Sequence, residues 1–358
     1  MIEQLQVLRS DINQARMVQL DAADLEDGAI RLQIETFAIT SNNITYAAMG
    51  DGFGYWNFFS GQGDWGIVPV WGHARVIASC NHDVGVGERV YGYLPMASSL
   101  DILPGHITPR GFVDTAAHRQ PMSPIYNQYT RLAADPEHDP EREAERMIFG
   151  PLFKTGFLIE AFMRRKDWFG AQSVVLTSAS SKTAMGLASV ARQRSPGIRR
   201  IGLTSARNVP FVERTGLYDS VIAYDQVGDL PQSATVSVDF AGNAELLAQI
   251  HAALGSHLQY SCMVGATHHE TRGQAALPEI VGPKPELFFA PDHAVAIVKE
   301  MGMEAFGQEL AESWHAFMAD IGDTIDVERV PGLERARAVY VAMAGGTVDP
   351  AKGVIIEP

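Results

Sequence analysis

Between residues 1 and 110 the apolar positions fall in short runs such as AIRLQIETFAI, WGHARVIASC and ERVYGYLPM, separated by Gly, Asn and Asp turn signals. Runs of this length and punctuation predict strands and therefore a β-rich domain. From residue 169 to 289 the texture changes. Strand-length runs (SVVLT, RRIGLTS, SVIAYD, VSVDFAG, QYSCMVGAT) alternate with helical stretches over 184–193, VPFVERTG and AELLAQIHAALG. That alternation predicts parallel βαβ units whose sheet is covered on both faces, an α/β domain. Between the two lies a proline-punctuated charged stretch, 135–146, expected to be a solvated connection or the edge of a lid. A chain of 358 residues exceeds what one core usually serves, which agrees with two domains.

Charge narrows the partners. Against 42 Asp and Glu stand 28 Lys and Arg, a net charge of −14 that opposes general affinity for nucleic acid or anionic membrane. Small molecules and further copies of the chain are the expected partners. The two cysteines, Cys80 and Cys262, can build neither a disulfide framework nor a four-cysteine zinc site, and a cytoplasmic location is expected. The start, MIEQLQVLRSDINQARM, lacks a signal-type apolar block, and no run approaches 18 uninterrupted apolar residues, so a soluble, unprocessed chain is expected.

Candidate chemistry concentrates in TSASSKTAMG, 177–186, which follows SVVLT and opens a helix. Strand, turn and helix in that order are how a dinucleotide-binding fold places its phosphate turn, although serines, an alanine and a lysine stand where glycines are usual. Small side chains still permit close approach, and a helix N-terminus offers unpaired N–H groups to an anion. Ser178, Ser180, Ser181 and Thr183 add hydroxyls, and Lys182 adds positive charge, around the small Ala179. The same residues would also serve a capped helix without any ligand. The second strand gives a separate clue. It runs into Ser205, Ala206, Arg207 and Asn208 with no carboxylate before Glu213, a set that suits a 2′-phosphate and so NADPH over NADH, unless it is an ordinary polar loop.

A set of ordered segments carries a resemblance: FAITSNNITYAAMGD, IVPVWGHARVIASCNHDVGVGERVYGYLP, IFGPLFKTGFLIEAFMRRKDWFGAQSVVLTSASSKTAMGLASVAR, GLYDSVIAYD, VSVDFAGN and GLERARAVYVAMAGGTVDPAKGVIIEP. Taken together they resemble the medium-chain dehydrogenase/reductase superfamily, and within it the zinc-free quinone oxidoreductase and enoyl reductase branches. The resemblance implies a GroES-like β-rich domain over 1–148, with part of 295–358 returning to it. It also implies a Rossmann-type doubly wound parallel sheet domain over 149–294 that binds NADP(H). The zinc branch has a Cys where Asn42 or Asn43 stands and a Gly-His-Glu at Gly72, His73, Ala74, so His73 is expected to be structural and no metal is expected.

By the same resemblance Thr155 lies near the nicotinamide ribose and Tyr224 beside the adenosine end. Val264, Gly265, Ala266 and Thr267 approach the ribose and nicotinamide, and Phe288 and Phe289 close over it. Asn42, Tyr46 and Tyr55 fall on the substrate side, where a phenol could donate a proton or a hydrogen bond to a carbonyl oxygen. The segment 50–66, GDGFGYWNFFSGQGDWG, is expected as an aromatic wall or mobile cover, or as plain domain packing. The implied activity is zinc-independent, NADPH-dependent reduction of a conjugated carbonyl or quinone. An enoyl-thioester reductase and a non-catalytic NADPH-binding sensor or structural protein are the alternatives. A homodimer is implied through the strand in QYSCMVGAT.

Overall fold

The computed structural model describes residues 1–264, 280–321, 324–346 and 349–358. The chain folds into two compact units, one of Met1–Ile148 with Asp326–Pro358 and another of Phe149–Ile325. Of the stretch 295–358, the part that joins the first unit is therefore 326–358. Gly265, Ala266 and Thr267 lie outside the described residues.

The first unit is a β structure. Its larger sheet runs, among the described residues, in the order Asp326–Pro331, Lys352–Glu357, Ile30–Ile39, Pro69–Ser79, Arg89–Pro95, Gln128–Arg131, Gly111–Asp114 and Pro104–Thr108. Only the first pair is parallel. A second sheet pairs Ile2–Leu8 with Asp11–Leu20 and with Trp65–Gly66. The alternation seen in the sequence puts Leu5, Val7, Leu32 and Val76 into one core with Phe37 and Val70.

Of the alternatives for the glycine-rich segment 50–66, the structure favours packing over a mobile cover: Trp56, Phe58 and Phe59 are buried in the core. A Cβ on Gly50 would sit 2.0 Å from the Trp56 indole nitrogen and one on Gly66 would sit 2.4 Å from its ring, so these glycines make room for the indole. The charged stretch 135–146 is solvated only in part, with Pro136, Pro140 and Glu141 exposed. Its last residue, Arg146, is 4% exposed in its side chain and pairs with Asp135 at 2.9 Å and Glu137 at 2.8 Å, which are 3% and 9% exposed. Opposite charges at the two ends of the run neutralise each other, which a composition reading of it does not show.

Among the described residues the second unit holds a six-stranded parallel sheet in the order Ser220–Ala223, Arg199–Thr204, Ser173–Leu176, Thr235–Asp239, Leu258–Val264, Glu286–Phe288. Numbered along the chain this is 3-2-1-4-5-6, the doubly wound order. The strand in QYSCMVGAT has neighbours on both sides, and among the described residues the edge is Glu286–Phe288, so the strand expected to meet a second copy is not an edge. The Lys182–Arg194 helix starts two residues earlier than its periodicity predicts, because Ser181 caps it by accepting the Ala184 N–H. This helix crosses the Glu143–Arg165 helix closely: a Cβ on Gly156 would come 2.6 Å from the Leu187 backbone nitrogen. No helix among the described residues is long and apolar enough to cross a membrane.

Candidate functional site

In a doubly wound sheet, ligands bind beyond the carboxyl ends of the strands where the order reverses. Here the reversal falls at Ser173–Leu176, which pairs with Arg199–Thr204 on one side and Thr235–Asp239 on the other. The turn 178–181 leaves the carboxyl end of that strand. Ser205, Arg207 and Asn208 follow the next strand, Tyr224 follows Ser220–Ala223, Val264 ends Leu258–Val264, and Phe288 ends the edge strand with Phe289 after it. The described residues assigned to a nucleotide from these loops thus gather at one end of one sheet. Thr155 comes from the Glu143–Arg165 helix instead, next to Gly156, which packs on Gly186 and Leu187; its hydroxyl is directed to the Pro151 carbonyl at 3.4 Å.

The turn shows how it manages without glycine. Ser178 takes the left-handed conformation, φ +45°, that a glycine adopts at little cost. Its N–H donates to the Tyr224 hydroxyl at 3.1 Å, and its carbonyl accepts the Ser181 N–H at 2.7 Å. Ala179 is fully buried; its N–H donates to the Leu203 carbonyl, and its own carbonyl accepts the Tyr218 hydroxyl at 2.7 Å. Asn208 donates through its amide to the Ser180 hydroxyl at 3.1 Å, tying the second loop to the turn. Among the described residues the N–H groups of Ser180 and Thr183 take no partner, as expected where a helix begins. Arg207 is exposed, and Ser205, Lys182 and Thr183 are half-buried around the same turn.

The next loop is fixed by a buried carboxylate. Asp239 accepts the Thr177 hydroxyl at 2.6 Å and the Ala241 and Gly242 N–H groups at 3.0 and 3.2 Å. The Phe288 ring is buried and stacks on His293, centroids 4.1 Å apart, while Phe289 is exposed. Tyr218, Asn208 as a tie, and Asp239 were not singled out from the sequence as supports of the turn. They stand on later strands and loops of the sheet, too far along the chain to leave a local signal.

The three residues implied on the substrate side belong to the first unit and lie together. Asn42 and Tyr46 are four residues apart on the Ser41–Ala48 helix, hence on one face. The Tyr46 and Tyr55 rings are 4.6 Å apart. Tyr46 is buried and accepts the Trp71 indole N–H at 3.2 Å; burial pushes its phenol well up, against the pull of hydrogen bonds from Trp71 and Asn42. Tyr55 is half-buried, with its hydroxyl 3.4 Å from that of Tyr126, and burial raises it too. Both phenols are therefore neutral donors. Trp71 and Tyr126, which complete this aromatic group at centroid distances of 5.9 Å (Tyr55 to Tyr126) and 6.1 Å (Trp71 to Tyr126), carry no sequence signal beyond strand and turn patterning. Asn43 serves the backbone: it accepts the Thr40 N–H and donates to the Pro69 carbonyl at 2.8 Å.

His73 is fully buried, and among the described residues neither ring nitrogen has a hydrogen-bond partner. Its Nδ1 lies 3.7 Å from Glu143, which is held by Arg89 and His138. Desolvation pushes the His73 imidazole down to about 3, against the attraction of Glu143. Glu143 is opposed by burial but lowered to about 2 by Arg89 and His138. Both groups have folded-state values below their unfolded ones, so each stabilises the fold at neutral pH and loses that contribution as pH falls. The window for His73 runs from 6.5 to about 3 and that for Glu143 from 4.5 to about 2. We expect urea stability to begin falling below pH 6.5, and His73→Phe to flatten the curve between pH 6.5 and 4.5; an unchanged slope in the variant would refute the assignment. Among the described residues no group of three or more His, Cys, Asp or Glu is placed to hold a metal ion.

A sequence profile described as "Protein of unknown function (DUF2855)" matches residues 37–349. The chain belongs to the DUF2855 family. No curated protein matches it. Solved structures do match this DUF2855 chain in fold. CurA from Vibrio vulnificus has 14% sequence identity and a TM-score of 0.60, covering 100% of this chain and 98% of that one. The same protein in complex with NADPH gives 13%, 0.58, and coverage of 99% and 98%. The quinone oxidoreductase from Coxiella burnetii gives 11%, 0.56, and coverage of 100% and 99%. At these identities the likeness establishes the fold of this DUF2855 member, a GroES-like β-rich unit with a Rossmann-type parallel sheet.

Proposed function

We propose that this DUF2855 protein is an NADPH-dependent reductase that passes hydride to a conjugated carbonyl or a quinone without a metal. The observation that carries the reading is the turn 178–181: left-handed at Ser178, at the reversal of a 3-2-1-4-5-6 sheet, with N–H groups at Ser180 and Thr183 that take no partner among the described residues. These features fit a diphosphate. Ser205, the exposed Arg207 and Asn208, with no carboxylate closing their strand, fit a 2′-phosphate. The NADPH complex of a similar fold supports the same cofactor. NADPH would supply the hydride; the chain would bind it, orient it and stabilise the developing enolate. Of the two phenols, Tyr55 is the one offered to a carbonyl oxygen, because Tyr46 is buried beneath Trp71.

Titration by nicotinamide fluorescence tests the cofactor, and NADPH oxidation coupled to loss of an enone, quinone or enoyl thioester tests the reaction. Arg207→Ala is expected to weaken NADPH about tenfold and leave NADH unchanged, the effect of one charge-assisted contact to a dianion. Equal loss for both nucleotides would assign Arg207 elsewhere. Tight binding without turnover of any of these substrates would favour the sensor reading, which the scarcity of glycine in the turn supports. Turnover confined to thioesters would favour the enoyl reductase.

A further inference from the structure

The turn after Ser173–Leu176 is enclosed by two tyrosines that flank a different strand. Tyr218 precedes Ser220–Ala223 and Tyr224 follows it. Their hydroxyls meet adjacent residues of the turn from opposite hydrogen-bonding roles: Tyr224 accepts the Ser178 N–H, and Tyr218 donates to the Ala179 carbonyl. The Ser178 and Tyr224 hydroxyls are also 3.4 Å apart. Burial pushes the Tyr218 phenol well up, so it remains a donor. Gly202 lies against Ala179 and Tyr218: a Cβ on it would stand 3.0 Å from both the Ala179 Cβ and the Tyr218 ring. The absence of a side chain there is what lets Tyr218 lie flat enough to reach the turn.

A left-handed serine is strained, and its N–H, turned out of any strand ladder, needs a partner when half-buried. Glycine removes the strain; this chain leaves the strain and supplies the partner. We propose that Tyr224 and Tyr218 are positioning residues that brace the glycine-poor turn in the conformation a fingerprint glycine would adopt, with Gly202 as the seat of the brace, so that the Ser180 and Thr183 N–H groups are preset for an anion. The idea that this anion is the NADPH diphosphate rests on the function proposed above. The brace itself rests on the hydrogen bonds and the backbone angle.

A four-protein comparison of wild type, Tyr224→Phe, Ser178→Gly and the double variant separates the two. If Tyr224 acts by holding Ser178, Tyr224→Phe raises the NADPH Kd about tenfold, and adding Ser178→Gly returns it to within about threefold of wild type, since one kept or lost hydrogen bond with its strain is worth about that ratio. A Kd unchanged in Tyr224→Phe overturns the proposal. So does a weakened Kd that Ser178→Gly fails to restore, because Tyr224 would then act on the cofactor directly. Thermal unfolding of the same four proteins gives an arm without ligand: the melting temperature lost in Tyr224→Phe is regained in the double variant if the brace exists, and is not if it does not. Wild type that binds no NADPH while showing that recovery would remove the functional reading and leave the brace standing.

Discussion

Arg146→Met is expected to cost the first unit about 3–5 kcal/mol, the range for removing one partner of a buried ion pair. The guanidinium is held between Asp135 at 2.9 Å and Glu137 at 2.8 Å, with all three side chains less than a tenth exposed, and it lies over the Tyr91 ring at 4.9 Å. Methionine matches much of its length but leaves two carboxylates facing a thioether. Neither acid has water to turn to without opening the connection that carries it. Urea unfolding followed by far-UV circular dichroism would measure the loss. Adding Asp135→Asn and Glu137→Gln to the variant should recover part of it, because neutral amides are less costly to leave unpaired than charges. A loss below about 1 kcal/mol would place the cluster with solvated surface pairs.

Gly156→Ala is expected to destabilise the second unit by about 2–3 kcal/mol, although the same change in an open helix stabilises by nearly 1 kcal/mol. The sign reverses because the added Cβ would meet backbone, the Leu187 nitrogen at 2.6 Å and the Gly186 carbonyl carbon at 3.0 Å. No rotamer relieves that contact; the two helices must separate. Gly307, inside the Met303–Ile321 helix, provides the control, since a Cβ there meets nothing within 4 Å. Gly307→Ala should raise the melting temperature while Gly156→Ala lowers it. Equal signs would show that helix propensity, not the close crossing, decides both.

What could be read in the sequence follows the range over which each signal acts. Alternation and strand–helix periodicity are local, so the β-rich start and the parallel domain were legible, as was the strand–turn–helix around Ser178. The left-handed angle at Ser178 was not, because serine does not announce it. What makes it tolerable is Tyr224, 46 residues away, whose ring reads in the sequence as core or adenosine contact. The buried cluster within 135–146 escapes the sequence for the same reason. Its charges are visible one by one, but their burial depends on Arg146 meeting Asp135 and Glu137 across a fold. The segment 50–66 reads as a wall, a cover or plain packing, and the structure gives its Gly50 and Gly66 to Trp56, a contact between positions that no periodicity links. Asn42, Tyr46 and Tyr55 lie close together in the first unit. Trp71 and Tyr126 joined them from elements whose pairing only the sheet specifies.

The returning segment of the first unit sets an order of events during synthesis. Lys352–Glu357 is not an edge strand; it pairs with Asp326–Pro331 on one side and Ile30–Ile39 on the other. The ribosome delivers residues 1–148 first, yet their sheet is complete only after the whole of Phe149–Ile325 has emerged. The unit made second can therefore finish folding first, and the early strands must wait with the Phe37–Ile39 end of Ile30–Ile39 unpaired, since Ser99–Ile102 pairs only with Ile30–Gln33. An exposed strand edge of that kind is what chaperones recognise and what nascent chains aggregate through. A ribosome that stalls before residue 352 would release a chain whose nucleotide-type sheet is intact and whose first sheet is open, so quality control would read this protein at the strand that closes its first sheet.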